Sequence, residues 1–134
     1  MEAGYHQSTR NIEIDVQPFF LEDQSDPEEC RFVWAYQVTI RNAGPETVQL
    51  LRRSWRITDA HGQVMQVEGA GVVGEQPVLE PGEVFQYTSG TPLSTPSGFM
   101  GGSYQMVCTA SGEPFVAAVP TFSLDSPHGA GAVN

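Results

Sequence analysis

The stretch from Phe32 to Arg41 alternates apolar and polar residues, and it limits the possible folds more than any other part of the chain. Its even-numbered positions carry aromatic or branched aliphatic side chains, and its odd-numbered positions from 35 onward are small or polar. A period of two is typical of a β-strand with one buried face. The aromatic side chains could form a platform on which nucleic-acid bases stack, or the core face of a sheet. The spacing favours the core face, with Trp34 buried.

The same alternation returns in six other segments, each bounded by turn-forming residues. Together they predict strands over residues 12–20, 47–58, 64–67, 84–89, 103–109 and 115–124. A proline-punctuated loop is expected at residues 91–98, Gly101 and Gly102 are expected to open the following strand, and a phase change near Pro120 suggests a bulge or an edge position. Seven short strands without helical periodicity predict an all-β, two-sheet sandwich. We expect one domain over residues 10–125, between flexible tails at residues 1–9 and 126–134.

The charge balance excludes some classes of partner. The chain has 134 residues and a formal net charge of -10, and all six of its Lys/Arg-type residues are arginines. An acidic protein repels a phosphate backbone, so we expect no nucleic acid among its partners. No apolar run approaches the roughly 20 residues that span a bilayer, so we expect no membrane insertion. The first residues do not resemble a signal peptide, which predicts a cytoplasmic location with Cys30 and Cys108 as reduced thiols.

Three of the arginines lie close together on the predicted strand over residues 47–58. The apolar residues change phase within that strand, which predicts a β-bulge near Leu51. Beyond the bulge, Arg52 and Arg56 share one face and Arg53 points to the other. Two interpretations are open. The arginines pair with carboxylates across the strands, or they form a guanidinium cluster for an anion, because arginine forks match phosphate and carboxylate geometry.

A glycine motif, GAGVVG at residues 69–74, follows the next predicted strand. Its G-x-G-x-x-G spacing binds dinucleotides when a helix starts at its end. Here Pro77 and Pro81 follow, and two prolines so close together prevent a stable helix. The motif is therefore not a dinucleotide-binding fingerprint. Either backbone amides at Gly69, Gly71 and Gly74 cradle an anion, or the loop needs glycine for positive φ and close packing.

Groups suited to catalysis are sparse in the sequence. His6, His61 and His128 lie in the predicted tails or in a turn, and no histidine, cysteine or carboxylate set has metal-ligand spacing. The acidic segment over residues 21–29 matches no calcium-binding loop and is predicted to be a solvated hairpin tip. The chain also lacks the Walker A and GxSxG motifs. We therefore predict no enzymatic activity, no cofactor and no metal site.

Three long segments resemble the bacterial ApaG proteins, also called CorD. They are LLRRSWRITD at residues 50–59, GAGVVGEQPVLEPGEVFQYTSGTPL at 69–93 and TPSGFMGGSYQM at 95–106. The resemblance extends over residues 12–124 and implies an immunoglobulin-like, fibronectin type III-like β-sandwich. It also implies a genetic link to cobalt resistance and magnesium efflux, and a glycine motif for which pyrophosphate or nucleotide binding has been suggested. Similar domains occur at the end of some eukaryotic F-box proteins.

Two functions fit these observations. The first is a protein-interaction module that binds an unidentified protein partner, as the occurrence of similar domains in F-box proteins implies. The second is binding of pyrophosphate or nucleotide. An acidic protein needs local positive charge to hold such an anion, so the arginines and the glycine loop would have to lie together. The candidate residues for this site are Gly69, Gly71, Gly74, Arg52, Arg53 and Arg56.

Overall fold

Nine β-strands form two antiparallel sheets in the structure, a computed structural model that describes residues 4–128. Between β2 and β3, the acidic segment forms two 3-10 turns, Glu22–Gln24 and Pro27–Glu29. Residues 4–128 contain no α-helix, and so no helix that is long and apolar enough to cross a membrane. The strands are β1 (Tyr5–Thr9), β2 (Ile12–Phe20), β3 (Phe32–Asn42), β4 (Val48–Asp59), β5 (Val64–Ala70), β6 (Val78–Leu79), β7 (Val84–Leu93), β8 (Gly98–Cys108) and β9 (Pro114–Leu124).

The two sheets face each other as a sandwich. One sheet has the strand order β1-β2-β3-β7, and the other has the order β5-β4-β8-β9, with the short β6 paired to β4. Every pairing between these strands is antiparallel. At one side of the sandwich, β9 contacts β1 and β2 of the opposite sheet. The predicted all-β, two-sheet sandwich is therefore confirmed.

The core lies between the sheets and is built from the alternating side chains. Trp34, Val38 and Ile40 of β3 are fully buried, which confirms the core interpretation of the aromatic stripe. Trp55 of β4 lies edge-on to Tyr36 of the opposite sheet, with ring centroids 5.5 Å apart. Both tryptophans are buried in this aromatic core, as the sequence predicts.

The predicted bulge is present in β4. The register of β4 against β8 shifts between Leu50 and Arg52, so Leu51 is the extra residue. Before the shift, Val48 and Leu50 point into the core, and after it Trp55 does so. One inserted residue thus keeps the apolar side chains of both halves inside the sandwich.

The N-terminal segment differs from the prediction of a flexible tail over residues 1–9. Residues 5–9 form β1, which pairs with β2 through a tight turn at Arg10 and Asn11. Both turn residues have positive φ, 48° and 68°, as tight hairpins require. Tyr5 then reaches Phe122 of the opposite sheet, with ring centroids 6.1 Å apart. Pairing with β2 and contacts with the opposite sheet thus hold a strand whose polar sequence shows no apolar alternation.

The predicted C-terminal tail over residues 126–134 is described only as far as His128. The Oγ of Ser126 donates to the carbonyl oxygen of Pro96 at 2.6 Å. The ring of His128 lies 5.8 Å from that of Phe20, centroid to centroid. These residues contact the sandwich, and the other positions of the two predicted tails, 1–3 and 129–134, lie outside the described residues.

The strands β7 and β8 are longer than predicted. β7 continues through Pro92, and β8 begins at Gly98, so the predicted loop over residues 91–98 shrinks to residues 94–97. The prediction ended the strand too early because proline and glycine favour loops. On an edge strand such as β7, however, a proline is tolerated.

Gly101 and Gly102 lie inside β8 and do not open it. A Cβ at Gly102 would overlap the carbonyl oxygen of Ser54 on β4, so glycine here allows two strands to approach closely. The pairing of β8 with β9 also shifts between Met100 and Gly102. This irregularity explains the predicted phase change near Pro120 of β9. β9 is also an edge strand, so the bulge and the edge position that the sequence suggests are both present.

Candidate functional site

The glycine motif contains the last two residues of β5 and the tight loop that follows, and Val72 anchors this loop. Val72 is completely buried, so the centre of the loop is fixed to the core. Gly71 and Gly74 have φ values of 64° and 83°, in the left-handed region that favours glycine. Val73, between them, also has positive φ, at 42°, and is exposed. Two of the three motif glycines thus serve the backbone geometry of the loop.

Three amides of this loop, those of Gly71, Val72 and Glu75, have partners within the protein. The N–H of Gly71 donates to the carbonyl of Leu51, the bulge residue of β4, at 2.8 Å. Val72 and Glu75 exchange two N–H···O bonds of 2.8 and 2.9 Å. The side-chain amide of Gln76 also donates to the Leu51 carbonyl, at 2.9 Å. An anion held by these amides would have to replace the bonds that close the loop.

Arg53 contacts the glycine loop through carbonyl oxygens. Its Nη1 donates to the carbonyl of Ala70 at 3.1 Å and to that of Gly71 at 2.9 Å. Gly69 stands opposite Arg53 in the β4–β5 register, and a Cβ at Gly69 would lie 3.0 Å from Nη1. The missing side chain at Gly69 therefore gives the guanidinium its space. The Arg53 guanidinium, which carries the positive charge that an anion would need, is therefore hydrogen-bonded to backbone oxygens.

The six candidate residues do not form one cluster. Arg53, Gly69 and Gly71 come together, while Gly74 lies in the later turn of the same loop. Arg52 and Arg56 are exposed on the other face of β4. This split follows from the alternation of a strand beyond the bulge.

The pairing of the β4 arginines with carboxylates is not found in the described residues. There, the arginine–carboxylate contacts join Arg10 to Glu113 at 3.2 Å and Arg41 to Glu13 at 3.8 Å, away from β4. Arg53 is instead satisfied by backbone carbonyls. Carbonyl acceptors are the same at every residue, so the sequence carries no signal for this pairing.

A buried hydroxyl pair joins the two sheets near Arg53. The hydroxyl oxygens of Tyr87 on β7 and Tyr104 on β8 are 2.5 Å apart. Burial raises the pKa of both phenols well above the ordinary value, and the charge of Arg53 opposes that rise. The two phenols therefore stay neutral near pH 7 and act as a cross-sheet hydrogen bond, not as a base.

The Cys108 thiol is a second perturbed group. Its Sγ donates to Oε1 of Glu46 at 3.2 Å. This hydrogen bond, together with burial, raises the pKa of Cys108, so the thiolate that would act as a nucleophile is disfavoured. Cys30 is exposed, and both cysteines are free thiols.

Two histidines have carboxylate partners that the sequence does not reveal. Nδ1 of His6 lies 2.7 Å from Oδ1 of Asp15, because β1 pairs with β2. Nε2 of His128 lies 3.4 Å from Oε2 of Glu22. Both pairs are largely exposed, and residues 4–128 contain no group of three or more histidine, cysteine or carboxylate side chains that could hold a metal ion.

An uncovered apolar surface lies on β5. Val64, Met65 and Val67 have exposed fractions of 46%, 51% and 38%. In the register with β4, Met65 stands opposite Ile57 and Val67 opposite Trp55, so both are on the inner side of their sheet. The sequence predicts a strand here over residues 64–67, and the structure extends it to Ala70. It does not show that the strand lies at the margin of the sandwich, where its inner side remains open.

A cleft of about 560 Å³ opens beside these side chains. Its volume falls in the range of roughly 300–1,000 Å³ that is common for binding pockets. Both sheets contribute apolar walls, and charged side chains stand at the rim. The apolar walls include Ile57, Met65, Pro92 and Leu93, and the charged residues are Glu29, Arg31 and Asp59. Val64, Met65 and Val67 together with this cleft are called the β5 surface below.

Comparisons with known proteins match most of the chain, including β5 and the glycine motif. The family model described as ApaG domain matches residues 22–108. A Rhodospirillum centenum protein named Protein ApaG is 66% identical over 125 residues, which cover 93% of this chain and 95% of the relative. The Protein ApaG of Paramagnetospirillum magneticum is 61% identical over 124 residues, with coverage of 92% and 95%. A crystal structure of a Bordetella pertussis protein described as ApaA is 43% identical, with a TM-score of 0.84 and coverage of 91% and 95%.

Proposed function

The chain belongs to the ApaG domain family, and we propose that it works as a non-enzymatic protein-interaction module. The observation that carries this proposal is the β5 surface, where Val64, Met65 and Val67 are exposed beside an open cleft. Exposed apolar side chains grouped on one strand are typical of protein contact sites, because covering them removes apolar area from water. The partner in this proposal is a protein that is not yet identified.

We place the interaction in the cytoplasm, because Cys30 is an exposed free thiol and such thiols persist in reducing compartments. The link to cobalt resistance and magnesium efflux, which the resemblance implies, is in this proposal an indirect result of partner binding. The chain itself then carries out no transport and no catalysis.

A pull-down with matched variants tests the proposal. The wild-type chain, Met65→Glu and Val116→Glu are each immobilised and exposed to the same cytoplasmic extract. Val116 is 54% exposed on β9, so its variant places the same charge on an exposed strand position away from the β5 surface. We expect the wild type and Val116→Glu to retain a partner that Met65→Glu loses. Equal retention by all three proteins would contradict the proposal.

Binding of pyrophosphate or nucleotide is the second candidate function, and the contact of Arg53 with the glycine loop favours it. Isothermal titration with pyrophosphate and with ATP tests it, using Arg53→Ala as the variant. Saturable binding that weakens in the variant and with added salt would support an anion site. We expect no saturable binding, because the Arg53 guanidinium and the amides of Gly71 and Val72 are already bonded within the protein.

A further inference from the structure

The strand β5 lies at the edge of its sheet, and the register shows which of its backbone groups point outward. The N–H of Asp59 donates to the carbonyl of Gln63 at 3.0 Å, and the N–H of Gly71 donates to Leu51 at 2.8 Å. These bonds set the phase of the antiparallel ladder, in which bonded pairs alternate with non-bonded pairs. The odd-numbered residues of β5 therefore bond to β4. The even-numbered residues direct their N–H and C=O groups away from it, and they are Val64, Gln66, Glu68 and Ala70.

Arg53 closes one end of this edge. Its Nη1 donates to the outward carbonyl of Ala70, so one lone pair of that acceptor is already engaged. Within residues 4–128, no strand pairs with the outer side of β5. The open window runs from Val64 to Glu68, and its length is that of a typical strand of about five residues.

The other sheet edges are covered or less suited to pairing. On β9, the N–H of Ala118 donates to Oγ1 of Thr9, and the N–H of Ser123 donates to the hydroxyl of Tyr5, each at 3.3 Å. β7 contains Pro92, which lacks an N–H, and β1 is polar at four of its five positions. Edge strands commonly discourage pairing with proline or charged residues, especially lysine. β5 contains no proline, lysine or arginine.

The side chains of β5 provide an apolar strip along this edge. Nine large hydrophobic side chains are exposed in the described residues. Three of them are Val64, Met65 and Val67, and no other strand carries more than one. Met65 and Val67 share the inner face, whereas Val64, opposite Thr58, lies on the other face. A strand added beside β5 would direct alternate side chains to the side of Met65 and Val67, over the cleft. Apolar residues at those positions would cover the exposed strip.

Charge favours one class of occupant. The formal net charge of -10 attracts basic segments and repels a second copy of this chain. Glu68 lies in the window, and Glu29 and Asp59 stand at the rim of the cleft. Arg31 at the rim and Arg56 on the outer face of β4 oppose them, but Arg56 lies one strand further in. A segment with basic residues on the outer face, beside Glu68, fits this arrangement.

We infer that β5 binds an extended segment of a partner protein as an added antiparallel strand. Apolar residues of that segment lie over the cleft, and basic residues alternate with them beside Glu68. The inference rests on the proposed function and adds the binding mode and the chemistry of the segment. Main-chain bonds to Val64, Gln66 and Glu68 supply affinity, and the alternating side chains supply selectivity.

A synthetic peptide of alternating arginine and valine, with blocked ends, is the probe for this binding mode. It is titrated into the full chain up to about 1 mM, so that a Kd of about 0.1 mM or tighter gives roughly 90% occupancy. Amide NMR and hydrogen exchange follow the complex. We expect exchange at the amides of Val64, Gln66 and Glu68 to slow at least about tenfold, because these groups gain acceptors. The amides of Met65 and Val67 should change little, because they already bond to β4.

Two methylated peptides isolate the backbone contribution. In an antiparallel pair, the peptide residues that bond to Val64, Gln66 and Glu68 share their outer face, and these residues are the arginines. N-methylation of the arginines removes the donors that face β5. N-methylation of the valines alters only the far edge of the peptide and is the matched control. We expect at least about tenfold weaker binding for the arginine-methylated peptide alone.

A pair of protein variants gives an independent test. Gln66→Pro removes an outward N–H and leaves the bonds of Met65 and Val67 to β4. Ser8→Pro is its control on β1, where the hairpin register also directs the N–H outward. We expect Gln66→Pro to weaken peptide binding to the same extent as arginine methylation, and Ser8→Pro to leave it unchanged. If Gln66→Pro does not fold, the two methylated peptides decide alone.

The outcomes separate this inference from the proposed function. Binding with slowed exchange at the outward amides, lost on methylation of the arginines only, supports strand addition. Equal binding of both methylated peptides overturns strand addition but leaves a side-chain interaction at the β5 surface. If the probe does not bind, the inferred basic and apolar chemistry of the partner segment is wrong. The pull-down with Met65→Glu then tests the proposed function separately. If the chain dimerises and Gln66→Pro abolishes the dimer, the edge of β5 is assigned to a second copy of the chain. That result also overturns the inference.

Discussion

Replacement of Gly71 by alanine separates backbone geometry from ligand binding in the glycine loop. Gly71 has a φ of 64°, and a Cβ there would lie 2.9 Å from the carbonyl carbon of Glu75 and closer still to its oxygen. That oxygen accepts the N–H of Val72, whose side chain is completely buried. Relief of the clash therefore requires movement of the Glu75 carbonyl, which would disturb its hydrogen bond to the anchored Val72.

Three terms set the expected loss of stability in Gly71→Ala. A residue other than glycine in the left-handed region costs about 1–2 kcal/mol. Overpacking against a fixed neighbour costs about 1–3 kcal/mol. The lower entropy of the unfolded alanine chain offsets about 0.4–1 kcal/mol of this. We expect the free energy of unfolding to fall by about 3 kcal/mol, near the middle of the resulting range.

Gly74→Ala is the matched control. Gly74 has a φ of 83°, but a Cβ there would have nothing within 4 Å, so only the backbone strain and the entropy term apply. We expect a loss of about 0.5–1 kcal/mol. Urea unfolding followed by tryptophan fluorescence measures both variants. With a slope of about 1–3 kcal/mol/M, the difference between them moves the midpoint by roughly 1 M. Equal midpoints would refute the argument, because they would show that the loop relaxes freely around Gly71.

Two further predictions concern the core. Trp34→Ala should lower the free energy of unfolding by about 3–5 kcal/mol, because Trp34 is 1% exposed and its Nε1 donates to the carbonyl of Asp125 at 2.8 Å; a urea midpoint like that of the wild type would contradict its role in the core. The free energy of unfolding should also fall as pH rises above about 10, the ordinary tyrosine pKa. Burial keeps the pKa of Tyr87 and Tyr104 higher in the folded state, so the unfolded chain loses these protons first and high pH favours it. Tyr87→Phe should flatten the alkaline fall in melting temperature, and an unchanged slope would count against this account.

The strands that could be predicted are those in which alternating apolar residues reflect one buried face. β3 alternates because one of its faces lies in the core, and the phase change in β4 marks the bulge at Leu51 because apolar residues occupy the inner face on both sides of it. β1 has no such alternation. Its sequence is polar, and its place depends on the turn at Arg10 and Asn11 and on the contact of Tyr5 with Phe122. Contacts of that kind exist only after the sheets have assembled.

Glycines were the least predictable residues, because one residue type meets several different needs. Gly71 and Gly74 adopt positive φ, which a loop motif suggests. Gly102 lies within a strand and allows close approach to Ser54, a need that only the neighbouring strand creates. Gly69 makes room for the guanidinium of Arg53. The sequence spacing of a glycine motif cannot distinguish these roles, since each depends on atoms that are distant in the chain.

The contact between Arg53 and the glycine motif also bears on the edge of β5. Gly69 has no side chain, so the guanidinium of Arg53 crosses that position and reaches the carbonyls of Ala70 and Gly71. A carbonyl at a sheet edge that already accepts an arginine donor has one of its two lone pairs engaged, so it is a poorer acceptor for a new strand. The motif and Arg53, which the sequence presents as parts of an anion site, are therefore partners of each other. In the binding mode inferred for β5, their contact limits the open window to residues 64–68.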